Sequence, residues 1–168
     1  IRKMLLDPGN SEMEPLTELF LYAADRAQHI AQVIRPALEA CQWLICDRFA
    51  DATTAYQGYG RGQDLAFIQR LNQWATQGLW PHLSLLLDCP VEVGLDRVRR
   101  RIEDTAFEGR EDRFEQQALA FHQKVRTGYL ELAAQNPARF RILDATMELE
   151  RLHEEIVAIL EPYLNRKN

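Results

Sequence analysis

Lysine is scarce in this chain. Of 20 basic residues only Lys3, Lys124 and Lys167 are lysines, which leaves 17 arginines. The formal net charge of -5 means that the molecule lacks the general positive field of a nucleic-acid binder. Cysteine is also sparse. Cys41, Cys46 and Cys89 are odd in number and form no Cys-x-x-Cys, so a reducing, cytoplasmic setting is expected and a disulfide framework is not. The four histidines are scattered singly, which argues against a zinc site. No apolar run approaches the ~18 residues of a membrane span, and neither a leader pattern nor a repeat occurs within these residues.

What is present describes a globular protein. Apolar residues make up 46% and charged residues 27% of 168 positions, with no shift along the chain, so one domain spanning 1–168 is expected. The surplus of arginine has two readings. A guanidinium grips phosphate or carboxylate with a planar fork of donors, whereas an ammonium is a solvated point charge. Genomic composition bias explains the same excess equally well.

Hydrophobic spacing sets out the elements. From Ser11 to Ile34, apolar side chains at Leu16, Leu19, Phe20, Ala23, Ala27, Ile30 and Ile34 stripe one helical face. Ser11 and Glu14 have capping-box spacing before it, and Pro36 is expected to end or kink it. "WLIC" reads as a short buried strand ending at Asp47. "QDLAFIQRLNQWATQGLWP" reads as a helix with Leu65, Ile68, Leu71 and Ala75 inward, stopped by Gly78 and Pro81. "LSLLLDCP" is a continuous apolar run of the kind a strand covered on both faces requires, and it closes at Asp88. "VEVGLDRVRRR" is a short helix, and Ile102 to Asp112 is a charged surface loop. A helix follows through Phe114, Leu119, Phe121, Val125, Tyr129 and Leu132. A strand at "RFRILDA" and a closing amphipathic helix complete the pattern. Strands alternating with helices indicate an α/β protein with a parallel sheet covered on both faces. In such sheets ligands sit at the carboxyl ends of the strands, where Asp47, Arg48 and Asp88 fall.

Three constellations carry chemistry. Asp47-Arg48 would place a carboxylate and a guanidinium together at a strand end, with Thr53, Thr54, Tyr56 and Gln57 following among Gly58, Gly60 and Gly62. Those hydroxyls, ring and amide suit a ligand with a ring, a sugar and a phosphate, and the glycines permit backbone turns. A strand-end ion pair followed by a polar turn is the plainer reading, and it leaves the tyrosine and glutamine unexplained. Tyr22 and Arg26 lie four residues apart on one helix face, a spacing that lets an aromatic stack on a base while a guanidinium bonds its edge. A half-core tyrosine beside a solvated arginine has the same spacing. Arg97, Arg99, Arg100, Arg101, Arg110 and Arg113 flank the charged loop and could cover transferring phosphates. A solvated basic face balanced by nearby carboxylates would look similar.

Taken together, "CDRFADATTAYQGYGRG", "LFLYAADRAQHI", "DRFEQQALAFHQKVRTGYLELA" and "LDAT" resemble, in order, the motifs of the bacterial thymidylate kinase family, and the likeness runs through nearly the whole chain. The resemblance implies a P-loop nucleoside monophosphate kinase-like, three-layer α/β/α fold with a lid at about 99–113. The implied reaction moves the terminal phosphate of ATP to dTMP with magnesium, giving dTDP for dTTP biosynthesis. Arg48 would grip the acceptor phosphate, and Asp47 would lie near the metal, reaching it through water. Tyr22 would stack on thymine, Arg26 would bond its edge and Thr53 would read its polar side. Tyr56 and Gln57 would line the deoxyribose, the tyrosine crowding out a 2'-hydroxyl. Arg97, Arg101 and Arg113 would belong to the lid over ATP, with Arg101 and Arg113 acting on the transferred phosphate. Ala145 and Thr146 would lie beside adenine. A cytoplasmic homodimer with no nucleic-acid or membrane partner completes the expectation.

This sequence departs from the family pattern in places. Tyr22 stands where phenylalanine is usual, and Ala52 where serine is commonest. No Gly-x-x-x-x-Gly-Lys-Ser/Thr occurs in the 168 residues. Because the chain opens at Ile1 in mid-pattern, a βαβ portion of roughly 30 residues or more is expected upstream, and the sequence as it stands is expected to be inactive. Two other readings remain open: a non-catalytic nucleotide-binding or dimerising remnant, and a kinase for another nucleoside monophosphate.

Overall fold

The computed structural model describes residues 1–104, 114 and 117–165, with only the backbone of 101–104. Short helix α1 (Arg2–Leu6) and a 3₁₀ turn (Pro8–Asn10) lead into α2 (Pro15–His29). Helix α2 starts at proline, whose missing N–H is no loss in a first turn. The Ser11–Glu14 capping box does not form, because Glu14 itself occupies the cap and makes no side-chain bond.

Nor does Pro36 stop the helix. A π-helical turn over Ile30–Ile34 precedes it, and the path continues as α3 (Arg35–Glu39). Proline cannot donate to the carbonyl one turn back and its ring crowds that carbonyl, and the wider turn relieves both. The stripe expected on α2 is buried at Leu19, Ala23, Ile30 and Ile34, whereas Leu16 and Phe20 are about half exposed.

The short helix α4 (Ala50–Thr53) widens at once into a π-helical segment, Thr54–Gly60. Helix α5 (Leu65–Thr76) begins where the Asp64 carboxylate accepts the Phe67 N–H at 2.7 Å. It ends through left-handed residues Gln77 and Gly78, with φ of 52° and 74°. Ile68 and Ala75 face inward as expected, while Leu65 is exposed.

Strands β1 (Ser84–Asp88) and β2 (Phe140–Asp144) pair in parallel, Ser84 opposite Phe140 and Asp88 opposite Asp144. Helix α6 (Val91–Asp104) and helix α7 (Leu119–Gln135) lie between them in sequence, and α8 (Leu149–Leu164) closes the chain. Helix α6 runs through 102–104, which had been expected to begin a loop; the rest of that loop and most of the expected lid, including Arg110 and Arg113, lie outside the described residues. Phe114 precedes α7 instead of belonging to it.

The parallel sheet is as expected, but the strand expected at Trp43–Cys46 is not. That segment pairs with no strand among the described residues, and Trp43 and Ile45 are 68% and 99% exposed. An apolar run becomes a buried strand only when a neighbouring strand and a covering layer exist to receive it. Leu87 and Ile142 are also about half exposed, so the sheet is not covered on both faces by the described residues.

The main packing joins α7 to the wide-turn segment. Ala55, Phe114, Phe121 and Val125 form a buried cluster flanked by Tyr22, Tyr56 and Tyr129. Close approach explains two glycines there. A Cβ on Gly60 would sit 2.7 Å from Phe121, and one on Gly128 would sit 2.6 Å from Tyr59. Gly58 is likewise a packing position, against Leu65, so of the three glycines read as turn residues only Gly62 has positive φ. Among the described residues no helix is long and apolar enough to cross a membrane.

Candidate functional site

Glu18, Tyr22 and Arg26 recur every four residues along α2 and therefore share a stripe. Opposite them, α4 and the wide-turn segment carry Thr53, Tyr56 and Gln57, and the bend before α4 carries Asp47 and Arg48. Between these elements lies a cavity of about 140 Å³. Tyr22, Arg26, Asp47, Arg48, Thr53, Tyr56 and Gln57 all line it. Seven residues singled out from two separate stretches of sequence thus converge on one cleft.

Arg26 is the best-held of them. Its Nη2 donates to Thr53 Oγ1 at 2.7 Å and to the Phe49 carbonyl at 3.1 Å, and its Nη1 donates to Asn72 Oδ1 at 3.3 Å. The guanidinium also lies 5.7 Å from the centre of the Phe49 ring. Burial lowers its pKa, against the raising influence of Cys46, Asp25 and Asp51, yet the group stays charged because guanidinium values begin so high. Three of its five N–H groups make these bonds, and the residue lines the cavity. Asn72 is itself buried and is fixed by donating to the Ala50 carbonyl and to Thr54 Oγ1.

Arg48 has a left-handed backbone, φ 66°, which is costly for a residue with a Cβ and is characteristic of strained functional positions. The Cys46 thiol donates to its carbonyl at 3.3 Å. Burial opposes its charge, but Tyr56, Tyr129 and Asp47 more than offset this, and its pKa lies above the ordinary value. Burial raises the Cys46 thiol, with Asp47 adding to the rise and Arg26 opposing it. Burial likewise raises the Tyr129 phenol, helped by Tyr56 and opposed by Arg48. Both groups are therefore neutral near pH 7.

Tyr22 lies 6.2 Å from Phe114, ring centre to ring centre, and Tyr56 meets Phe114 edge-on at 5.3 Å. Gln57 is buried, and its Nε2 donates to Glu18 Oε1 at 2.8 Å. Arg61 also reaches that carboxylate, Nε to Oε1 at 3.4 Å and Nη2 to Oε2 at 3.3 Å.

The chain as a whole resembles known proteins. The thymidylate kinase family model matches residues 1–156. The chain belongs to the thymidylate kinase family. It is 55% identical over 148 residues to the thymidylate kinase of Trichlorobacter lovleyi, covering 88% of this chain and 69% of that relative. The thymidylate kinase of Geotalea daltonii is 53% identical over 168 residues, covering 100% of this chain and 77% of its own length. That of Desulfovibrio desulfuricans is 47% identical over 167 residues, 99% of this chain and 77% of the relative. The family resemblance drawn from the ordered motifs holds.

A second group of expected residues gathers away from the cleft, at the carboxyl ends of the strands. Arg97 Nη1 donates to the Ala145 carbonyl at 2.8 Å. Thr146 donates to Asp144 Oδ1 through its N–H at 2.8 Å and its hydroxyl at 2.7 Å, which holds the Asp144 carboxyl below its usual range. Asp88, expected to face a ligand, is instead clasped by Arg126, Nε to Oδ1 at 2.7 Å and Nη2 to Oδ2 at 2.8 Å. The side chains of Arg101 and Arg113 lie outside the described residues.

Sequence reasoning missed Glu18, Phe49, Asn72 and Phe114. Glu18 had a signal, since it extends the Tyr22–Arg26 stripe by one turn. Asn72 had none, because its partner on α2 is 46 residues away.

Among the described residues no group of three carboxylate, histidine or cysteine side chains could hold a metal. Magnesium commonly needs only one or two protein carboxylates when substrate phosphates supply the other oxygens. Asp47, exposed at the cleft and without a hydrogen bond from any described residue, fits that lesser role.

Proposed function

We propose that this chain binds dTMP in the Tyr22–Arg48 cleft and serves an ATP-dependent kinase that converts dTMP to dTDP. The observation that carries the reading is the convergence of an aromatic ring, two guanidinium groups, a hydroxyl and an amide on one cavity of this family member. Tyr22 stacks on the base. Arg26, beside Thr53, bonds a ring carbonyl, and Arg48 grips the 5'-phosphate. Tyr56 packs against the sugar and excludes a 2'-hydroxyl.

In the transfer, an oxygen of the dTMP phosphate forms a bond to the γ-phosphorus of ATP as the bond from that phosphorus to the β-phosphate oxygen breaks, releasing ADP. Arg48 holds the attacking phosphate in line and offsets its charge. Arg97, Arg101 and Arg113 attend the donor nucleotide, Arg101 and Arg113 at the transferred group, and Ala145 and Thr146 lie beside its adenine. Magnesium carried by the nucleotide would neutralise charge among the phosphates, with Asp47 the residue placed to hold one of its waters. The same reading includes the P-loop kinase-like three-layer fold, a cytoplasmic setting and a homodimer. For the last, half-exposed Leu16 and Phe20, a turn apart on α2, offer an apolar surface that a second copy would cover.

Calorimetric titration of the chain with dTMP and UMP, together with ³¹P NMR of dTMP mixed with ATP and magnesium, tests the proposal. Binding of dTMP at least about tenfold tighter than UMP is expected, with dTDP as the product of the active enzyme. Equal binding would point to another nucleoside monophosphate, and no binding of dTMP would overturn the assignment.

A further inference from the structure

Gln57 presents an ambiguity that only its neighbours can resolve. A glutamine amide has a donor end and an acceptor end of nearly the same shape, and rotation by half a turn exchanges them. Here the donor end points at Glu18. A carboxylate only accepts, so it takes the amide nitrogen and refuses the amide oxygen. Glu18 is 0% and Gln57 2% exposed, which leaves no bulk water to offer the amide an alternative partner. Arg61 holds the carboxylate in turn, with its own Nη1 tied to Gln117 Oε1 at 2.9 Å. The side-chain amide oxygen of Gln57, Oε1, receives no hydrogen bond from any described residue, and the residue lines the cleft.

We propose that Glu18 is a positioning residue which locks the Gln57 amide with its oxygen toward the ligand, so that the cleft selects a pyrimidine ring bearing an N–H. This rests on the reading of the cleft as a nucleoside monophosphate site and deepens it. A sugar hydroxyl can donate or accept, so a fixed amide gains nothing by facing one. The N–H of a thymine-type imide can only donate, and the corresponding nitrogen of a cytosine ring can only accept. An oxygen locked toward that position welcomes the first and meets the second with two facing lone pairs. Glu18 lies one turn before Tyr22 on the same stripe, which brings the amide to the side of the cleft where the base stacks.

The test compares Kd values for dTMP and dCMP in the chain and in Glu18→Gln, whose amide both donates and accepts and so frees Gln57 to turn over. The preference for dTMP is expected to fall by about tenfold or more, chiefly through better dCMP binding, which a merely structural role would not produce. Glu18→Gln leaves Arg61 without its carboxylate. A Glu18→Gln, Arg61→Gln double variant removes that guanidinium as well and carries the same expectation. An unchanged ratio in either folded variant overturns the role of Glu18 and leaves the proposed function standing. Failure of the unaltered chain to prefer dTMP overturns both.

Discussion

Arg139 clasps Asp51 with both arms of its guanidinium, Nη1 to Oδ2 at 2.7 Å and Nη2 to Oδ1 at 2.9 Å. The two are 88 residues apart, and both side chains are largely buried, at 16% and 12% exposure. Arg139 also donates to Ser84 Oγ and lies against the Trp80 and Phe140 rings. One side chain therefore ties the segment bearing Thr53 and Tyr56 to the start of both strands. Breaking such a pair by removing one partner strands a charge. Asp51→Ala is expected to lower stability by about 3–5 kcal/mol in urea denaturation, and a loss under about 1 kcal/mol would show that the clasp is incidental.

Arg48 separates ligand binding from stability. Arg48→Ala should weaken dTMP binding by at least about a hundredfold, the loss of charge-assisted phosphate bonds worth about 1.5–3 kcal/mol each. Arg48→Gly should bind as poorly yet be more stable than the alanine variant by about 1 kcal/mol, because glycine adopts φ 66° without strain. Calorimetric titration and thermal melting measure the two effects, and tight binding by either variant would remove Arg48 from the site.

Gly128→Ala should destabilise by about 1–3 kcal/mol, since the added carbon would lie 2.6–2.9 Å from three atoms of Tyr59. The Tyr59 hydroxyl donates to Glu131 at 2.6 Å, which limits its retreat. Adding Tyr59→Ala should reduce the penalty of the glycine change, and additivity of the two in denaturant melts would disprove the contact.

Asp144 predicts an acid response. Its folded pKa lies below the ordinary 3.8 because the Thr146 hydroxyl and N–H bond its ionised form. The stabilisation is thus present above pH 3.8 and is lost as pH falls through the lower folded value. Asp144→Asn should show a shallower loss of stability than the parent in that interval. Parallel curves would count against the bonds to Thr146.

Cysteine alkylation followed by mass spectrometry offers a separate check on the cleft. Cys41 is exposed, whereas Cys46 is half-buried with a raised pKa. Cys46 should therefore react more slowly than Cys41 at pH 7, and more slowly again with dTMP present. A Cys46 rate untouched by dTMP would place the nucleotide elsewhere.

Much of this was legible in one dimension. Helices α2, α5, α7 and α8 announce themselves by apolar spacing, and β1 and β2 by short continuous apolar runs. Tyr22 and Arg26 could be paired because helical neighbours lie close in sequence. Trp43–Cys46 was misread because an apolar run states what it could bury and not what will cover it. Gly58 and Gly60 were read as turn formers, since composition cannot distinguish a glycine needed for φ from one needed for closeness. The clasp on Asp51 and the bonds of Arg26 to Phe49 and Asn72 join distant segments, and local patterns contain no trace of them.

Arg26 reaches from its own helix to α5 and to the approach to α4 before any guest arrives. Its rotamer freedom is surrendered once, during folding, so the nucleotide capture proposed for it would incur little further ordering entropy. On the proposed reading recognition and architecture would share one side chain, and a variant that loosened the first could not leave the second intact.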